Sequence, residues 1–582
     1  MTPIALMSRH WQQHRQATLS LPAQNLSWPF FGAGLDNVGV NGQPVRAPLP
    51  VCGPDEILVR VDALGLCASD AKMVRLGLDY PLFFARDLST NPAQLGHEAS
   101  LTVVQVGKEW RGRYFVGQRL GIQPDVYKGG RRVIFGVNLP GAMTQYVLLD
   151  QRVLAGDGGS YVFPVPPELG YAEVALLEPW ACVDVAYSPT ARRLEPKPGG
   201  LLWIAGHAGD PRRYAMSYPL DSATIVLSDV PATFAAWVRS QPVHVVERNG
   251  VDAAAVSQEL ANGAGIDDII LLNPSDAATV AAAIAALADH GTLNLVAEDA
   301  LNGLVTVDMH KLHYQHLALL GCPGPDVAAA YGAPANRSDL RAGGVTWIMG
   351  AGGAMGRMHI QRALQMMNRP RAIIATNRGQ ARLDQLQRDY AGLAAAAGVE
   401  LVAVSPEAEP ERLDREIERL TGGRGCDDIV VVAPSPAAVN VAVPYLAMDG
   451  LLVVFAGAPA GAPIHLPLDW AARHGAQFTG TSGSSVEDQL NVIKKIQQGA
   501  LSVVQIVAAV GGLNALRQGL QAVMEQTYPG KIVIYPHLVD LPLLSLTQLK
   551  SVLPEVYAQL GAGETWTNAA EQALFEAYWE RM

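Results

Sequence analysis

Four residues suited to metal-assisted redox chemistry fall in the first third of the chain. Cys67 stands in Gly65-Leu66-Cys67-Ala68-Ser69-Asp70, just past the strand-like run Ile57–Leu64. His97 and Glu98 follow in Gly96-His97-Glu98, and Glu178 opens Glu178-Pro179-Trp180-Ala181-Cys182. A thiolate, an imidazole and a carboxylate are donors that a tetrahedral catalytic zinc takes, with one position left for water or substrate. Zinc there would polarise a carbinol oxygen and lower its pKa, so that hydride can leave for a nicotinamide. Ser69, two residues past the cysteine, is the candidate for handing on the proton. Taken singly each residue has a plainer explanation. A lone cysteine by an apolar strand usually packs, and a histidine after glycine usually serves a turn. A glutamate before proline can simply end a helix turn. What joins them is their order ahead of a nucleotide-binding element.

That element is Gly343-Gly344-Val345-Thr346-Trp347-Ile348-Met349-Gly350-Ala351-Gly352-Gly353-Ala354-Met355-Gly356. It reads as a buried strand, a glycine-rich turn and a helix start. A dinucleotide pyrophosphate needs close backbone approach, which excludes a Cβ, and helix N–H groups aimed at the anion. Gly350, Gly352, Gly353 and Gly356 can supply both. Met355 breaks strict GxGxxG, and the glycines Gly350, Gly353 and Gly356 fall three apart instead. A helical run, Met358–Met366, and a second strand, Ala372-Ile373-Ile374-Ala375, follow on time. The position after that second strand often carries a carboxylate for the adenosine ribose. Here it is Asn377, followed by Arg378 and later Arg382, which leans toward NADP(H) while leaving NAD open. Gly457 completes the expected cofactor set.

These residues need two kinds of support. Residues from Glu56 onward favour short strands divided by glycines, at Leu101–Val106, Arg119–Gln123 and Gln145–Leu149. A helix is expected over Tyr171–Tyr187. From Gly199 strands alternate with Ala-rich helices, the rhythm of a parallel sheet, and at Gly343 that rhythm starts again. The two stretches match. Gly199-Gly200-Leu201-Leu202-Trp203-Ile204-Ala205-Gly206 echoes the later strand, with Gly199 and Gly343 144 apart. Gly265-Ile266-Asp267-Asp268 echoes Gly425-Cys426-Asp427-Asp428 at an offset of 160. The earlier copy is therefore shorter between its first and fourth strands. Its loop, Gly206-His207-Ala208-Gly209-Asp210-Pro211, keeps two glycines and sets an aspartate where phosphate would sit, whereas Asp229 holds the carboxylate position that the later copy lost. A structural spacer is its expected role, and a second nucleotide-like site is the alternative.

Bulk properties narrow the classes. With 582 residues, several domains are expected. A net charge of −11 without a basic block argues against nucleic acid. No apolar run is long enough for a membrane span, and the polar start lacks a secretory core. Five scattered cysteines suit a reducing cytoplasm, which is the expected location.

Together these segments resemble the zinc-containing medium-chain alcohol dehydrogenase superfamily. They are Gly65–Asp70, Gly96–Glu98, Glu178–Cys182, Gly350–Gly356, Phe478–Ser485 and Gly530-Lys531-Ile532-Val533. The Glu-Pro element is similar to the sorbitol and threonine dehydrogenase branch. Gly352–His359 and Leu553-Pro554-Glu555-Val556-Tyr557 look like the L-sorbose-1-phosphate reductase group. The resemblance implies an α/β chain with a GroES-like β-rich catalytic domain and, here, two tandem Rossmann-type parallel-sheet domains. The expected boundaries are 1–198 for the catalytic part and 199–324 for the degenerate copy. A linker is expected over 325–342, the intact copy over 343–483, and a return with a helical tail over 484–582. Cys67 and His97, with Glu98 or Glu178, would ligate one catalytic zinc, and Ser69 would sit in a proton relay. NAD(P)(H) and a small alcohol or carbonyl substrate (a polyol, sugar or sugar phosphate) are implied. So are dimers or tetramers, formed through a sheet edge that a built-in second copy could occupy instead.

Three departures stand out. Residues 124–140 contain no cysteine, so no structural zinc is expected; Ala99-Ser100-Leu101-Thr102 replaces a customary glycine; and Lys72 stands where relatives place a relay histidine. A zinc-free quinone-oxidoreductase-like reductase and a nucleotide-binding pseudoenzyme are the competing readings. Arg75, Arg86, Arg131 and Arg132 are phosphate-contact candidates, with solvated surface the plainer role for each.

Overall fold

A computed structural model describes residues 10–83, 86–188, 195–332, 335–480 and 482–580. The chain forms two compact units. One comprises Met1–Ala181 and Gly483–Met582, the other Cys182–Ser482.

The first unit is built on the strand Ile57–Leu66, all ten residues of which are buried. It pairs with Glu98–Val106, with Tyr146–Leu149 and with Lys531–Tyr535, so the end of the chain is stitched directly to its beginning. The expected helix Tyr171–Tyr187 is two helices, Tyr171–Ala175 and Leu177–Val185. Pro179 has no N–H to return to Ala175, which breaks the ladder there. The tail helix Asn568–Glu580 is fixed by Glu571, whose buried carboxylate accepts N–H groups from Tyr171 (2.6 Å) and Ala172 (2.8 Å) at a helix start. Residues 124–140 hold a hairpin of Asp125–Lys128 with Arg131–Ile134. Arg132 pins it to Asp125 at 2.6 Å.

The second unit contains both copies. Each is a six-stranded parallel array. The earlier copy has Leu201–Ala205, Thr224–Ser228, His244–Glu247, Ile266–Leu272, Leu287–Val296 and Ala318–Cys322. The later has Val345–Met349, Ala372–Thr376, Glu400–Val404, Cys426–Val431, Leu446–Val454 and Gln477–Thr479. Numbered so, both run in the order third, second, first, fourth, fifth, sixth. The arrays do not stand apart as separate sheets. The sixth strand of the earlier copy, Ala318–Cys322, lies antiparallel to that of the later copy, Gln477–Thr479, with Leu319 opposite Phe478. The result is one twelve-stranded sheet. A second seam pairs Val305–Asp308 antiparallel with Pro463–Leu466. One hydrophobic core runs through both seams, with Leu312, Leu319, Leu468, Ala472 and Phe478 among its members.

The duplication is legible bond by bond. Trp203 Nε1 donates to Ser228 Oγ at 2.9 Å, and Trp347 Nε1 donates to Thr376 Oγ1 at 2.9 Å. The Leu201 N–H meets Asp267 at 2.9 Å, as the Val345 N–H meets Asp427 at 2.8 Å. The shortening falls on the helices. The later copy has helices Ala354–Gln365 and Gln380–Ala397 after its first and second strands. The earlier copy has only Ala232–Arg239 after its second strand, and residues 206–223 are not helical. Among the described residues no helix is long and apolar enough to cross a membrane, and no disulfide joins any two of the five cysteines.

Candidate active site

The strand Ile57–Leu66 ends at Cys67, which becomes the N-cap of the helix Ala68–Leu76. Asp70, fully buried in that helix's first turn, accepts the Cys67 N–H at 3.0 Å. Its other oxygen lies 3.3 Å from His97 Nδ1. A carboxylate on Nδ1 orients the ring and leaves Nε2 for other work. Ser69 Oγ is 3.1 Å from that Nε2. Burial opposes a charge on His97, but Asp70 first and Cys67 after it outweigh burial and hold its pKa well above the usual value. Gly96 sets His97 in place with φ +93°, and any side chain there would press on Leu64 and Met143.

Glu98 is the next residue and is fully buried. Lys531 Nζ lies 2.5 Å from Glu98 Oε1. Burial alone would discharge this lysine; Glu98 chiefly, with Cys67 and Glu178 nearby, reverses that and raises its pKa. Glu98 Oε2, also buried, has no hydrogen-bond partner. Donor atoms of Cys67, His97 and Glu98 all lie within 4.8 Å of one another, and this is the one such cluster among the described residues. A half-buried thiol and imidazole beside a buried, orphaned carboxylate oxygen fit a zinc ion. Glu178, 9% exposed, lies outside that cluster but within electrostatic reach of Lys531.

Asp70 and Lys531 received no role from sequence alone. The Cys67–Asp70 spacing could have suggested a capping box. The Glu98–Lys531 pair spans 433 positions, and no local pattern announces it. Three arginines considered for phosphate are engaged within the protein. Arg75 bonds the Met524 carbonyl, Arg86 the Val137 and Pro92 carbonyls, and Arg132 pairs with Asp125. Arg131 is exposed.

In the later copy the turn after the strand Val345–Met349 is shaped by its glycines. Gly350 has φ +81°. A Cβ at Gly356 would lie 2.6 Å from Ala351 Cα, so this glycine lets the helix close onto the strand. Gly352 backs onto Asn377 and Arg382, each about 2.9 Å from a Cβ built there. Gly353, the N-cap of the helix Ala354–Gln365, has open space, with nothing nearer than 3.9 Å. Backbone N–H groups at such a helix start, with no side chain over Gly353, could hold a phosphate. Arg378 bonds Ser405 through its carbonyl, leaving the guanidinium out of that contact.

The earlier copy fills the same place with its own side chains. Arg212 pairs with Asp210 (3.1 Å), Glu298 (3.3 Å) and Asp299 (2.7 Å). Tyr214 donates to Asp210 at 2.6 Å. Asp229, in the ribose position, accepts the Gly250 N–H at 2.9 Å.

Residues 53–156 match the alcohol dehydrogenase GroES-like domain. The chain is 29% identical over 249 residues to mannitol-1-phosphate 5-dehydrogenase of Aliivibrio fischeri, covering 41% of this chain and 58% of that one. It is 31% identical over 307 residues to the uncharacterized protein YggP of Escherichia coli, covering 47% and 70%. It is 26% identical over 337 residues to L-sorbose 1-phosphate reductase of Klebsiella pneumoniae, covering 53% and 79%. It thus spans between roughly half and four-fifths of the length of these relatives. The fold is that of 2R,3R-butanediol dehydrogenase from Bacillus subtilis, with TM-score 0.50 at 16% identity over 88% of this chain and 99% of the other.

Proposed function

Because this chain belongs to the medium-chain alcohol dehydrogenase superfamily, we propose that it is a zinc-dependent NAD(P)(H) oxidoreductase of polyols, sugars or sugar phosphates. The observation that carries this is the cluster of Cys67, His97 and Glu98, half-buried at the first two and buried at the third, with one carboxylate oxygen left unpartnered. Cys67 and His97 would hold the ion, with the third ligand from Glu98 or Glu178. The ion would supply polarisation of the carbinol or carbonyl oxygen.

The chain's own residues do the rest. Asp70 holds His97 by Nδ1 and Cys67 by its N–H, so both donors are positioned before any ligand arrives. Ser69 Oγ would relay the carbinol proton during oxidation, accepting it as its own hydroxyl proton passes on to solvent, with the reverse transfer during reduction. Lys531 balances one buried carboxylate, which leaves the site tolerant of a second. Gly350–Gly356 would hold the dinucleotide's pyrophosphate, and Asn377, Arg378 and Arg382 would face its adenosine ribose, a set that favours NADP(H). A sugar-phosphate substrate is supported by relatives named for mannitol-1-phosphate and L-sorbose 1-phosphate.

The test combines metal analysis with turnover. Purified protein should carry about one zinc per chain, and Cys67→Ala should lose both metal and activity. A panel of polyols and sugar phosphates with NAD and NADP should contain a substrate. Full activity in a metal-free preparation would sink the proposal. Comparing zinc retention in Glu98→Gln and Glu178→Gln decides the third ligand.

A further inference from the structure

The earlier copy does more than lengthen the sheet. Across the seam each copy lays a short helix on the other's last strand, and the fit is reciprocal. Gly321 of the earlier copy faces Ala472 of the helix Asp469–His474, with a Cβ there 2.6 Å from the Ala472 nitrogen. Gly480 of the later copy faces Leu312 of the helix Met309–Tyr314, with a Cβ there 2.9 Å from Leu312 Cγ.

Reciprocity ends at the polar side chains of those helices. The helix Met309–Tyr314 reaches the loop that leaves the later copy's fifth strand, Leu446–Val454. His313 Nδ1 is 3.3 Å from the Val454 carbonyl, and His310 Nδ1 is 3.2 Å from the Ala458 carbonyl. Between those two bonds Gly457 lies flat against Tyr314 and His313, and a Cβ would sit 2.6 Å from the His313 ring. The other side of the loop is fixed by Phe455, whose ring meets His359 of the helix Ala354–Gln365 edge-on at 4.5 Å. Trp470 and Arg473 stand where His310 and His313 would be in the opposite helix, and Arg473 turns back to Asp469 at 3.1 Å.

In an open parallel sheet ligands bind at the carboxyl ends of the strands, where strand order reverses. In the later copy that point lies between the first and fourth strands, with the fifth strand next to the fourth. Pyrophosphate at Gly350–Gly356 and adenosine toward Asn377 put the nicotinamide end on the side of the fourth and fifth strands. The loop Phe455–Ala458 borders that end.

We propose that the degenerate copy is a built-in partner domain whose His310, His313 and Tyr314 act as positioning residues, fixing the Phe455–Ala458 loop that receives the nicotinamide half of the cofactor. This rests on the cofactor assignment made above. His313 donates its Nδ1–H to the Val454 carbonyl at the strand end where the loop begins, His310 donates to the Ala458 carbonyl at the loop's far end, and Tyr314 fills the face that Gly457 leaves bare. The copy that lost its own phosphate cradle thus serves its neighbour's site.

Two ligands separate this role from general stability. ADP-ribose reports on the adenosine–pyrophosphate half alone, and NAD(P)H reports on both halves. In His310→Ala/His313→Ala the dissociation constant for NAD(P)H should rise about tenfold, whereas that for ADP-ribose should stay within about twofold. His310→Asn/His313→Asn keeps an N–H donor near each Nδ1 position and should restore most of the NAD(P)H affinity. Equal losses for both ligands, no loss for either, or no rescue by asparagine would overturn the inference while leaving the cofactor reading intact. A wild-type protein that binds neither ligand would overturn both.

Discussion

The two copies start from the same strand and reach opposite ends. Trp203 and Trp347 make the same bond, and Asp267 and Asp427 receive the same N–H. Yet one copy leaves Gly353 open above a helix start, while the other closes its loop with Arg212, Asp210, Glu298 and Asp299. The shared part lies within the sheet, where burial and hydrogen-bonding needs resist change. The difference lies at the rim, where one absent helix removes both the anion-binding N–H groups and the dipole. The sheet can stay the same while the loops change, because the two occupy different parts of the same strands.

The sharpest way to break this contrast is to place one charge in each loop. Gly353→Asp should fold, because its Cβ meets open space. It sets a carboxylate against pyrophosphate, a like-charge contact costing several kcal/mol. By titration NAD(P)H affinity should fall roughly a thousandfold. Gly209→Asp, beside the exposed His207, should leave affinity unchanged. The reverse pattern would exchange the roles of the two copies.

A smaller effect tests the reciprocity of the seam. Gly321→Ala presses on backbone, the Ala472 nitrogen at 2.6 Å, whereas Gly480→Ala meets the Leu312 side chain at 2.9 Å. Overpacking costs about 1–3 kcal/mol, and the first variant should fall at the upper end of that range. Thermal unfolding would show both. A seam in which neither change lowers the melting temperature is not load-carrying in solution.

Much of this contrast was legible in the sequence. The glycine spacing marked one loop as open, and Asp210 with Pro211 marked the other as spoiled. The repeated Asp-Asp pairs located both fourth strands. What could not be read was the joining of the copies. The pairing of Leu319 with Phe478, and of Val305–Asp308 with Pro463–Leu466, links short segments about 160 residues apart. Periodicity reports which face of a strand is buried and is silent about what lies beside it. For the same reason Gly457 was assigned to the cofactor without the side chains behind it, His313 and Tyr314, coming to notice. Cys67, His97 and Glu98 were legible because all three lie at the ends of two neighbouring strands, whereas Lys531 comes from the far end of the chain.

The ribose positions sharpen the contrast further. The degenerate copy keeps the carboxylate, Asp229, but ties it to Gly250. The intact copy has Asn377 against Gly352. Asn377→Asp should lower affinity for NADP relative to NAD about tenfold, or ~1.4 kcal/mol, through repulsion of the 2′-phosphate. Asp229→Asn should move neither constant. An unchanged NADP/NAD ratio in Asn377→Asp would place the 2′-hydroxyl site elsewhere.

The smallest expected difference concerns acid. His359 is fully buried on the helix Ala354–Gln365 of the intact copy, where its Nδ1 meets the Tyr187 hydroxyl at 2.5 Å. Burial first, then Arg362, lower its pKa to about 3. The shortened earlier copy has no helix after its first strand to carry such a group. A histidine neutral in the fold and free to charge near 6.5 when unfolded contributes stability that is present above 6.5. That stability is lost as pH falls toward 3, because the unfolded chain binds the extra proton. Between pH 7 and pH 6 the loss is roughly 0.7 kcal/mol by linkage. Native-state hydrogen exchange, corrected for intrinsic rates, should therefore show the helix Ala354–Gln365 losing protection over that interval. The strand Leu201–Ala205 should lose less, and His359→Gln should remove the difference. Equal loss in both copies would mean that they open as one cooperative body, and that the seam transmits the instability of the intact copy to its partner.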